Sequence, residues 1–242
     1  MKKQLLIPLI TSLKKLLQVN RHTGIQTRTL VDTYETGFGT EAEPPSIADI
    51  DKRFRKVGVD LAAEACIKAL KEWGGDWQGI THTVAVTCTN EGHPGYDLLV
   101  NQKLGLSSNV ERVLLHGVGC AGGLSIMRVA AQIADGAAIR GRPARILAYA
   151  CEVCSLSYRY ELELACKADP ANVSIAPSLF SDGAAAFVLC NEQGKGEGAN
   201  AVFELMGWGN TTIPATGQHL GFFANPQGTL FDIYMEYLRV ED

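Results

Sequence analysis

Short apolar runs typical of strands alternate with helical patterns through the middle of the chain. Residues 51–73 carry apolar side chains at helical spacing and are closed by two glycines. The β-branched run THTVAVTCT at 81–89 follows, then a second helical pattern at 93–106, and then the strand pattern ERVLLHGV at 111–118. This alternation favours an α/β fold in which helices cover a largely parallel central sheet.

Three further runs extend the strand pattern toward the end of the chain. ARILAYACEVCSL at 144–156 is apolar almost throughout, which indicates a strand covered on both faces. LFSDGAAAFVLCNE at 179–192 places the turn residues SDG before another apolar strand, and AVFELMGWGN at 201–210 is also predicted as a strand. The segment at 37–49, rich in Gly, Pro and Glu, is predicted as a loop.

A glycine-rich turn, GVGCAGG at 117–123, joins the strand pattern at 111–118 to the next helix. The helix that follows has one apolar face and is predicted to end near Gly136. The predicted face consists of Leu124, Met127, Ala130, Ala131 and Ala134. The only cysteine of this segment therefore stands immediately before a helix start.

That cysteine, Cys120, lies where a thiol has a specific chemical use. The amide groups of a helix start lack partners and carry partial positive charge, so a thiolate is stabilised there, and the thiolate is the form that attacks. Gly119, Gly122 and Gly123 allow sharp bending and close approach of a substrate. A tightly packed turn with an inert, buried cysteine has the same features. Spacing alone leaves both interpretations open.

Spacing does not identify a partner for this thiol. The usual base is a histidine, and neither His116 nor His82, which stand in strand patterns, is marked as one. The pair Cys151 and Cys154 is an option for a metal, but residues three apart on a strand point to opposite faces unless the strand ends between them. No second Cys or His pair has finger-like spacing, so we expect no metal site.

Composition excludes several classes of function. The 242 residues are 46% hydrophobic and 20% charged, as in globular proteins. The net charge is -4, and the sequence has no long basic stripe of the kind that binds nucleic acid. No apolar run approaches the roughly 20 residues that span a bilayer. The opening MKKQLLIPLITSLKK is predicted as an amphipathic helix rather than a secretory signal. Seven cysteines without framework spacing favour a reducing compartment, and we expect the cytoplasm.

Five segments of the chain carry a collinear resemblance over most of residues 50–191. They are KALKEWGGDWQGITHTVAVTCT, HPGYDLLVNQKLGL, VERVLLHGVGCAGGLSIMRVAAQIA, RILAYACEVCSLSYR and LFSDGAAAFVL. Together they resemble the chalcone synthase-like type III polyketide synthases, a branch of the thiolase superfamily. The resemblance implies a thiolase-like α/β/α layered fold. It divides the chain into a helical segment and loop at 1–50, the nucleophile-bearing N-terminal domain at 51–200, and the truncated start of a C-terminal half at 201–242.

The resemblance also implies an activity and a set of site residues. The activity is that of an acyltransferase in polyketide biosynthesis, which takes a starter from acyl-CoA onto Cys120 and condenses it with malonyl-CoA, with no cofactor beyond these substrates. Phe180 falls where the family places a gatekeeping aromatic, and His93 falls in a loop that reaches the partner's cavity in a dimer. The positions that match the cavity lining are Cys88, Thr89 and Ser157. Those that match the basic CoA-contacting segment are Lys14, Lys15 and Arg21.

The catalytic His and Asn of the family have no counterpart before Asp242. In the family these two residues polarise the thioester carbonyl and stabilise the oxyanion, which is a large part of catalysis. We therefore expect the N-terminal, nucleophile-bearing part of a homodimeric polyketide synthase. Two alternatives stay open: a catalytically silent, truncated homologue that only dimerises, and a ketoacyl synthase of the fatty-acid type.

Overall fold

The structure is a computed structural model, and its described residues form two compact units. It describes residues 3–35, 37–167, 174–196, 201–217, 220–225 and 228–233. The sheet unit comprises Arg53–Glu152 and Gly183–Asn210, and the helical unit comprises Met1–Lys52, Val153–Asp182 and Thr211–Asp242. The domain division predicted at residues 50 and 200 stays a prediction, because a compact unit and a family domain are different things.

Helices and strands alternate through most of the described chain. The helices are α1 (Lys3–His22), α2 (Ile47–Trp73), α3 (Tyr96–Leu104), α4 (Gly122–Ile139), α5 (Tyr158–Lys167) and α6 (Ala176–Leu179). The strands are β1 (His82–Val86), β2 (Glu111–Leu115), β3 (Arg145–Glu152), β4 (Gly183–Cys190), β5 (Leu220–Asn225) and β6 (Gly228–Ile233). Short 3-10 turns lie at Phe38–Thr40, Trp77–Gly79, Gly119–Ala121 and Cys154–Ser157.

A four-stranded sheet with the order β2-β1-β3-β4 forms the centre of the sheet unit. β1 pairs in parallel with β2 and β3, so that Val86 stands opposite both Leu115 and Ala150. β4 pairs with β3 in the antiparallel direction. The predicted α/β fold with a largely parallel sheet is therefore confirmed.

Helices cover both faces of the sheet. The chain leaves β1 to reach β2 on one side, then crosses back past β1 to β3, and right-handed crossovers in opposite directions place their helices on opposite faces. In agreement, Ala148 of β3 packs in one cluster with Ile126 of α4. The adjacent Tyr149 points the other way and meets Tyr96 of α3 edge to face, with 5.8 Å between ring centroids.

The buried face of α4 differs from the predicted one. Leu124 is 75% exposed, so its assignment to the apolar face is wrong. Ala130, Ala131 and Ala134 are buried as predicted, and Ile126 rather than Leu124 packs with Ala130 and Ala134 against the sheet. The helix also continues past Gly136 to Ile139, because an isolated glycine inside a helix is tolerated.

Two boundary predictions also need correction. The loop predicted at 37–49 ends at Ser46, because Ser46 and Asp49 form a reciprocal cap: the Ser46 amide donates to the Asp49 carboxylate, and the Asp49 amide to the Ser46 Oγ. Segment 201–210 forms no strand, and Phe203 is 89% exposed. A strand needs a neighbour to accept its backbone hydrogen bonds, and none of the described strands pairs with this segment.

The helical unit contains α1, α5 and α6, together with the antiparallel hairpin of β5 and β6. The helix predicted at the start of the chain is confirmed as α1, and its Leu16 is buried with Ala165 of α5. No helix in the described ranges is both long enough and apolar enough to cross a membrane.

Gly122 fixes the approach of α4 to the sheet, which gives a stability prediction. A methyl group at Gly122 would lie 3.0 Å from Cγ2 of Val86, so we expect Gly122→Val to lower the free energy of unfolding by about 1–3 kcal/mol through overpacking. Urea denaturation measures the change. The matched control is Gly123→Ala, because an added methyl group there meets no described atom within 4 Å. Equal losses in both variants would contradict the prediction.

Candidate active site

The turn that carries Cys120 joins β2 to α4. Gly117 and Gly119 have φ values of 72° and 50°, in the left-handed region that other residues rarely adopt. These glycines let the chain reverse within a single 3-10 turn, Gly119–Ala121, directly before α4. The Cys120 side chain is exposed, so the alternative of an inert, buried cysteine is wrong.

The surroundings of the Cys120 thiol suit an incoming acyl group. Helix α4 is 18 residues long, and the amino end of such a helix carries partial positive charge. Gly123 follows in the first turn, with no described heavy atom within 4 Å of the position of a Cβ. Partial positive charge beside open space is the setting in which a thiol nucleophile and a polarised carbonyl can meet.

A carboxylate at the end of β3 organises the end of β1. Glu152 accepts hydrogen bonds from the Cys88 amide at 2.9 Å and from the Thr89 hydroxyl at 2.8 Å, with a third from the Thr87 hydroxyl at 3.2 Å. Burial raises the pKa of the Glu152 carboxyl, and the hydrogen bonds from Thr89 and Cys88 oppose that shift. The predicted cavity residues Cys88 and Thr89 are therefore held in place by one half-buried acid.

Glu152 was missed in the sequence, although a signal for it existed. It is the only charged residue after the first position of β3, in RILAYACE. A carboxylate at the carboxyl end of an apolar, centrally placed strand is costly to bury without partners. Such a residue therefore indicates polar partners at the ends of the neighbouring strands.

The sheet brings these pieces to one edge. β1, β2 and β3 are parallel, so Cys88, Glu152 and the Cys120 turn all follow strand ends at the carboxyl edge. Gly122, two residues after Cys120, would place an added Cβ against the side chain of Val86, the last residue of β1. The chain connections change direction at β1, and ligands of open α/β sheets bind at such switch points.

Three histidines of the sheet unit differ in their relation to this edge. His93 is exposed in the loop between β1 and α3, where it precedes a cis peptide bond to Pro94. His116 is exposed directly after β2. His82 begins β1 and lies 3.8 Å from Glu111, and burial lowers its pKa. His82 is therefore at the amino edge of the sheet, away from Cys120.

The remaining predicted site residues belong to the helical unit. Ser157 ends the 3-10 turn that leads into α5, and Phe180 follows α6; both side chains are half-buried. The basic residues of α1 face solvent to different degrees: Lys14 and Arg21 are exposed, and Lys15 is half-buried. All five residues therefore belong to the helical unit.

The cysteine pair considered for a metal is split by the end of a strand. β3 ends at Glu152, so Cys154 lies in the following 3-10 turn. The Cys151 thiol is buried and donates to the Gly58 carbonyl at 3.4 Å. Within the described ranges, no group of three or more His, Cys, Asp and Glu side chains could hold a metal ion.

The fold and the site together define an α/β protein with an exposed cysteine at a strand-to-helix turn, beside a carboxylate-bound loop. Residues 12–193 match the N-terminal domain of the chalcone and stilbene synthases. The chain belongs to this family.

Relatives of known activity place it among the type III polyketide synthases. It is 56% identical over 218 residues to the type III polyketide synthase pspB of Penicillium soppii, covering 89% of this chain and 55% of the relative. It is 46% identical over 180 residues to the acylalkylpyrone synthase csyB of Aspergillus oryzae, covering 74% of this chain and 45% of the relative. The chain thus spans about half the length of these relatives.

Solved structures agree in fold. A fungal type III polyketide synthase, ORAS, matches with a TM-score of 0.87 and 40% identity, covering 92% of this chain and 58% of that protein. The crystal structure of CsyB complexed with CoA-SH matches with a TM-score of 0.88 and 38% identity, covering 95% and 62% respectively. The thiolase-like layered fold expected from the sequence is confirmed.

The raised pKa of Glu152 gives a pH prediction. A carboxyl whose pKa is higher in the folded state contributes stability below its ordinary value of 4.5 and loses it as the pH rises through the folded value. We expect the free energy of unfolding of the wild type, relative to Glu152→Gln, to fall as the pH rises above 4.5. Urea denaturation across this pH range measures it.

A second variant tests the cause of that fall. The Thr89 hydroxyl donates to the Glu152 carboxylate, and this hydrogen bond lowers the pKa of Glu152. Thr89→Val removes the hydroxyl and should therefore raise that pKa further. The loss of stability with rising pH should therefore be larger in Thr89→Val than in the wild type. A wild-type stability that rises with pH relative to Glu152→Gln would contradict the assignment.

Proposed function

We propose that the chain is the nucleophile-bearing part of a type III polyketide synthase, and that Cys120 carries the growing acyl chain. The observation that carries the proposal is the exposed Cys120 thiol in a turn of left-handed glycines at the carboxyl edge of a parallel sheet. Membership of the chalcone and stilbene synthase family supports it.

The proposed reaction has two steps that balance without a redox partner. In the first, the Cys120 thiolate attacks the carbonyl carbon of an acyl-CoA, the new carbon–sulfur bond forms, and CoA leaves as its thiol after taking up a proton. In the second, malonyl-CoA loses carbon dioxide, and the resulting carbanion attacks the acyl thioester and releases the Cys120 thiolate. No cofactor beyond these CoA thioesters is required.

The proposal assigns cavity roles from the family to four residues. Cys88 and Thr89 follow β1, where the hydrogen bonds to Glu152 give their segment a fixed place. Ser157 is a further cavity residue, and Phe180 is the gatekeeping aromatic. The proposal assigns Lys14, Lys15 and Arg21 to the CoA phosphates, because several cations on one helix suit phosphate groups.

We propose a homodimer, with His93 of each subunit reaching toward the cavity of the other. β2 is the edge strand of the described sheet, and strand edges are available for pairing. Leu124, near the start of α4, adds a 75% exposed apolar side chain.

The proposed location is the cytoplasm. None of the six cysteines whose side chains the structure describes forms a disulfide, which suits a reducing compartment. The silent, truncated homologue that only dimerises is the less favoured alternative, because the relatives reported above are polyketide synthases at identities of 46% and 56%.

Acylation of Cys120 tests the proposed function directly. Incubation with an acyl-CoA should add one acyl mass to the intact protein, peptide mapping should place it on Cys120, and Cys120→Ala should remove it. The matched control is Cys190→Ala, because Cys190 pairs with Arg145 at the amino edge of the sheet and should leave the labelling unchanged. Labelling at another cysteine, or no labelling of the wild type, would contradict the proposal.

The dimer is tested by sedimentation equilibrium. We expect the wild type to sediment as a dimer, and Leu124→Glu to weaken association at least about tenfold, because burial of a leucine is worth more than the 1.4 kcal/mol of a tenfold change. Ile139→Glu is the control, since Ile139 is 88% exposed at the far end of the same helix. A monomeric wild type, or equal effects of both variants, would contradict the proposal.

A further inference from the structure

The segment that carries Phe180, residues 178–182, is held by three separate anchors inside the helical unit. At its start, the Arg28 guanidinium donates to the Ser178 carbonyl. In its middle, the Tyr158 hydroxyl donates to the Phe180 carbonyl at 2.6 Å. At its end, Asp182 is tied to the chain around residues 29–31, as described next. Each anchor binds the main chain or the end of the segment, and none needs the aromatic ring of Phe180.

The Asp182 anchor is the strongest of the three. Its carboxylate accepts hydrogen bonds from the Ser155 amide at 2.8 Å, the Ser155 hydroxyl at 2.5 Å and the Val31 amide at 2.7 Å. Its own amide donates to the Thr29 carbonyl at 2.8 Å. Charge-assisted hydrogen bonds of this kind are stronger than neutral ones. Asp182 therefore fixes where the segment ends, whatever happens at Phe180.

Of the three anchors, Tyr158 is the one that binds the main chain of Phe180 itself. It is the first residue of α5 and is 4% exposed. Burial raises the pKa of its phenol, so the hydroxyl keeps the proton that it donates. On the other side of Phe180, the amide donates to the Ala176 carbonyl at 3.0 Å. The peptide group before Phe180 and the one after it are therefore both fixed, and they set the direction in which the Phe180 side chain leaves the main chain.

We propose that Tyr158 is a positioning residue that sets the orientation of Phe180 and, through it, which acyl groups are accepted. The inference rests on the proposed function, because it needs Phe180 to stand at the entrance of the acyl cavity. Loss of the Tyr158 hydroxyl frees the peptide group after Phe180, while Arg28 and Asp182 still hold the two ends of the segment. The effect therefore falls on acyl selection rather than on the fold.

The test compares acylation of Cys120 by hexanoyl-CoA and dodecanoyl-CoA in Tyr158→Phe and in the wild type. Loss of one buried hydrogen bond should change the ratio of the two acylation efficiencies by about threefold to tenfold. The matched control is Tyr149→Phe in the sheet unit. The Tyr149 hydroxyl is also buried and also donates to a main-chain carbonyl, that of Asp97, at 3.2 Å. The control should change the ratio less than about twofold.

A second background separates positioning from a direct effect of the tyrosine. If Tyr158 acts through the Phe180 ring, Tyr158→Phe should have no effect on the ratio in a Phe180→Ala background. The same shift in both backgrounds would overturn the proposal. A wild type that is acylated, with a Tyr158→Phe variant that keeps the wild-type ratio, would overturn it as well.

Amide hydrogen exchange provides a readout that needs no acylation. Tyr158→Phe should speed exchange of the Phe180 amide by about threefold to tenfold, with exchange of the Asp182 amide and of β1 and β3 unchanged. Unchanged exchange at Phe180 would overturn the inference whatever the acylation result. If exchange is faster but the wild type takes no acyl group, the role of Tyr158 as an anchor of Phe180 is supported. The proposed function is then the part that is contradicted.

Discussion

Parallel pairing of β1 with β2 and β3 is the constraint on which the rest of the sheet unit depends. Parallel strands end at the same edge, so strand pairing brings three stretches far apart in sequence to that edge. The close approach of Gly122 to Val86 then sets where α4 begins. The position of Cys120 follows from these two facts, because it lies two residues before that contact.

Local signals in the sequence predicted most of this arrangement, and the failures are informative. The β-branched run of β1 and the helical spacing of α2 are local properties, so both elements were predicted. Helical spacing alone accommodates either Leu124 or Ile126 beside Ala130 and Ala134, and the packing of α4 against the sheet, with Gly122 close to Val86, buries Ile126. The predicted strand at 201–210 failed for the same reason, because pairing is a property of the neighbour and not of the segment.

Polar residues inside the apolar framework were harder to predict. Glu152 accepts hydrogen bonds from Thr87, Cys88 and Thr89, and Asp182 accepts two from Ser155 and one from Val31, all distant in sequence. Nothing in the spacing of Glu152 reveals that Thr87 and Thr89 will meet it, because the meeting requires the register of β1 against β3. Each unit thus contains one acid that orders a loop, and in both cases the ordered loop carries a candidate cavity residue.

The two kinds of placement have different consequences for how such a site can change. The Cys120 turn depends on backbone geometry, since Gly117 and Gly119 occupy left-handed conformations that a side chain would strain. The segment of Phe180 depends on hydrogen bonds that the Arg28 and Tyr158 side chains donate and the Asp182 carboxylate accepts, each of which a single substitution can remove. A change at one of the latter alters the segment while the nucleophile stays where the sheet puts it. Under the proposed function, selectivity for the acyl group can therefore vary independently of the chemistry at the Cys120 thiol.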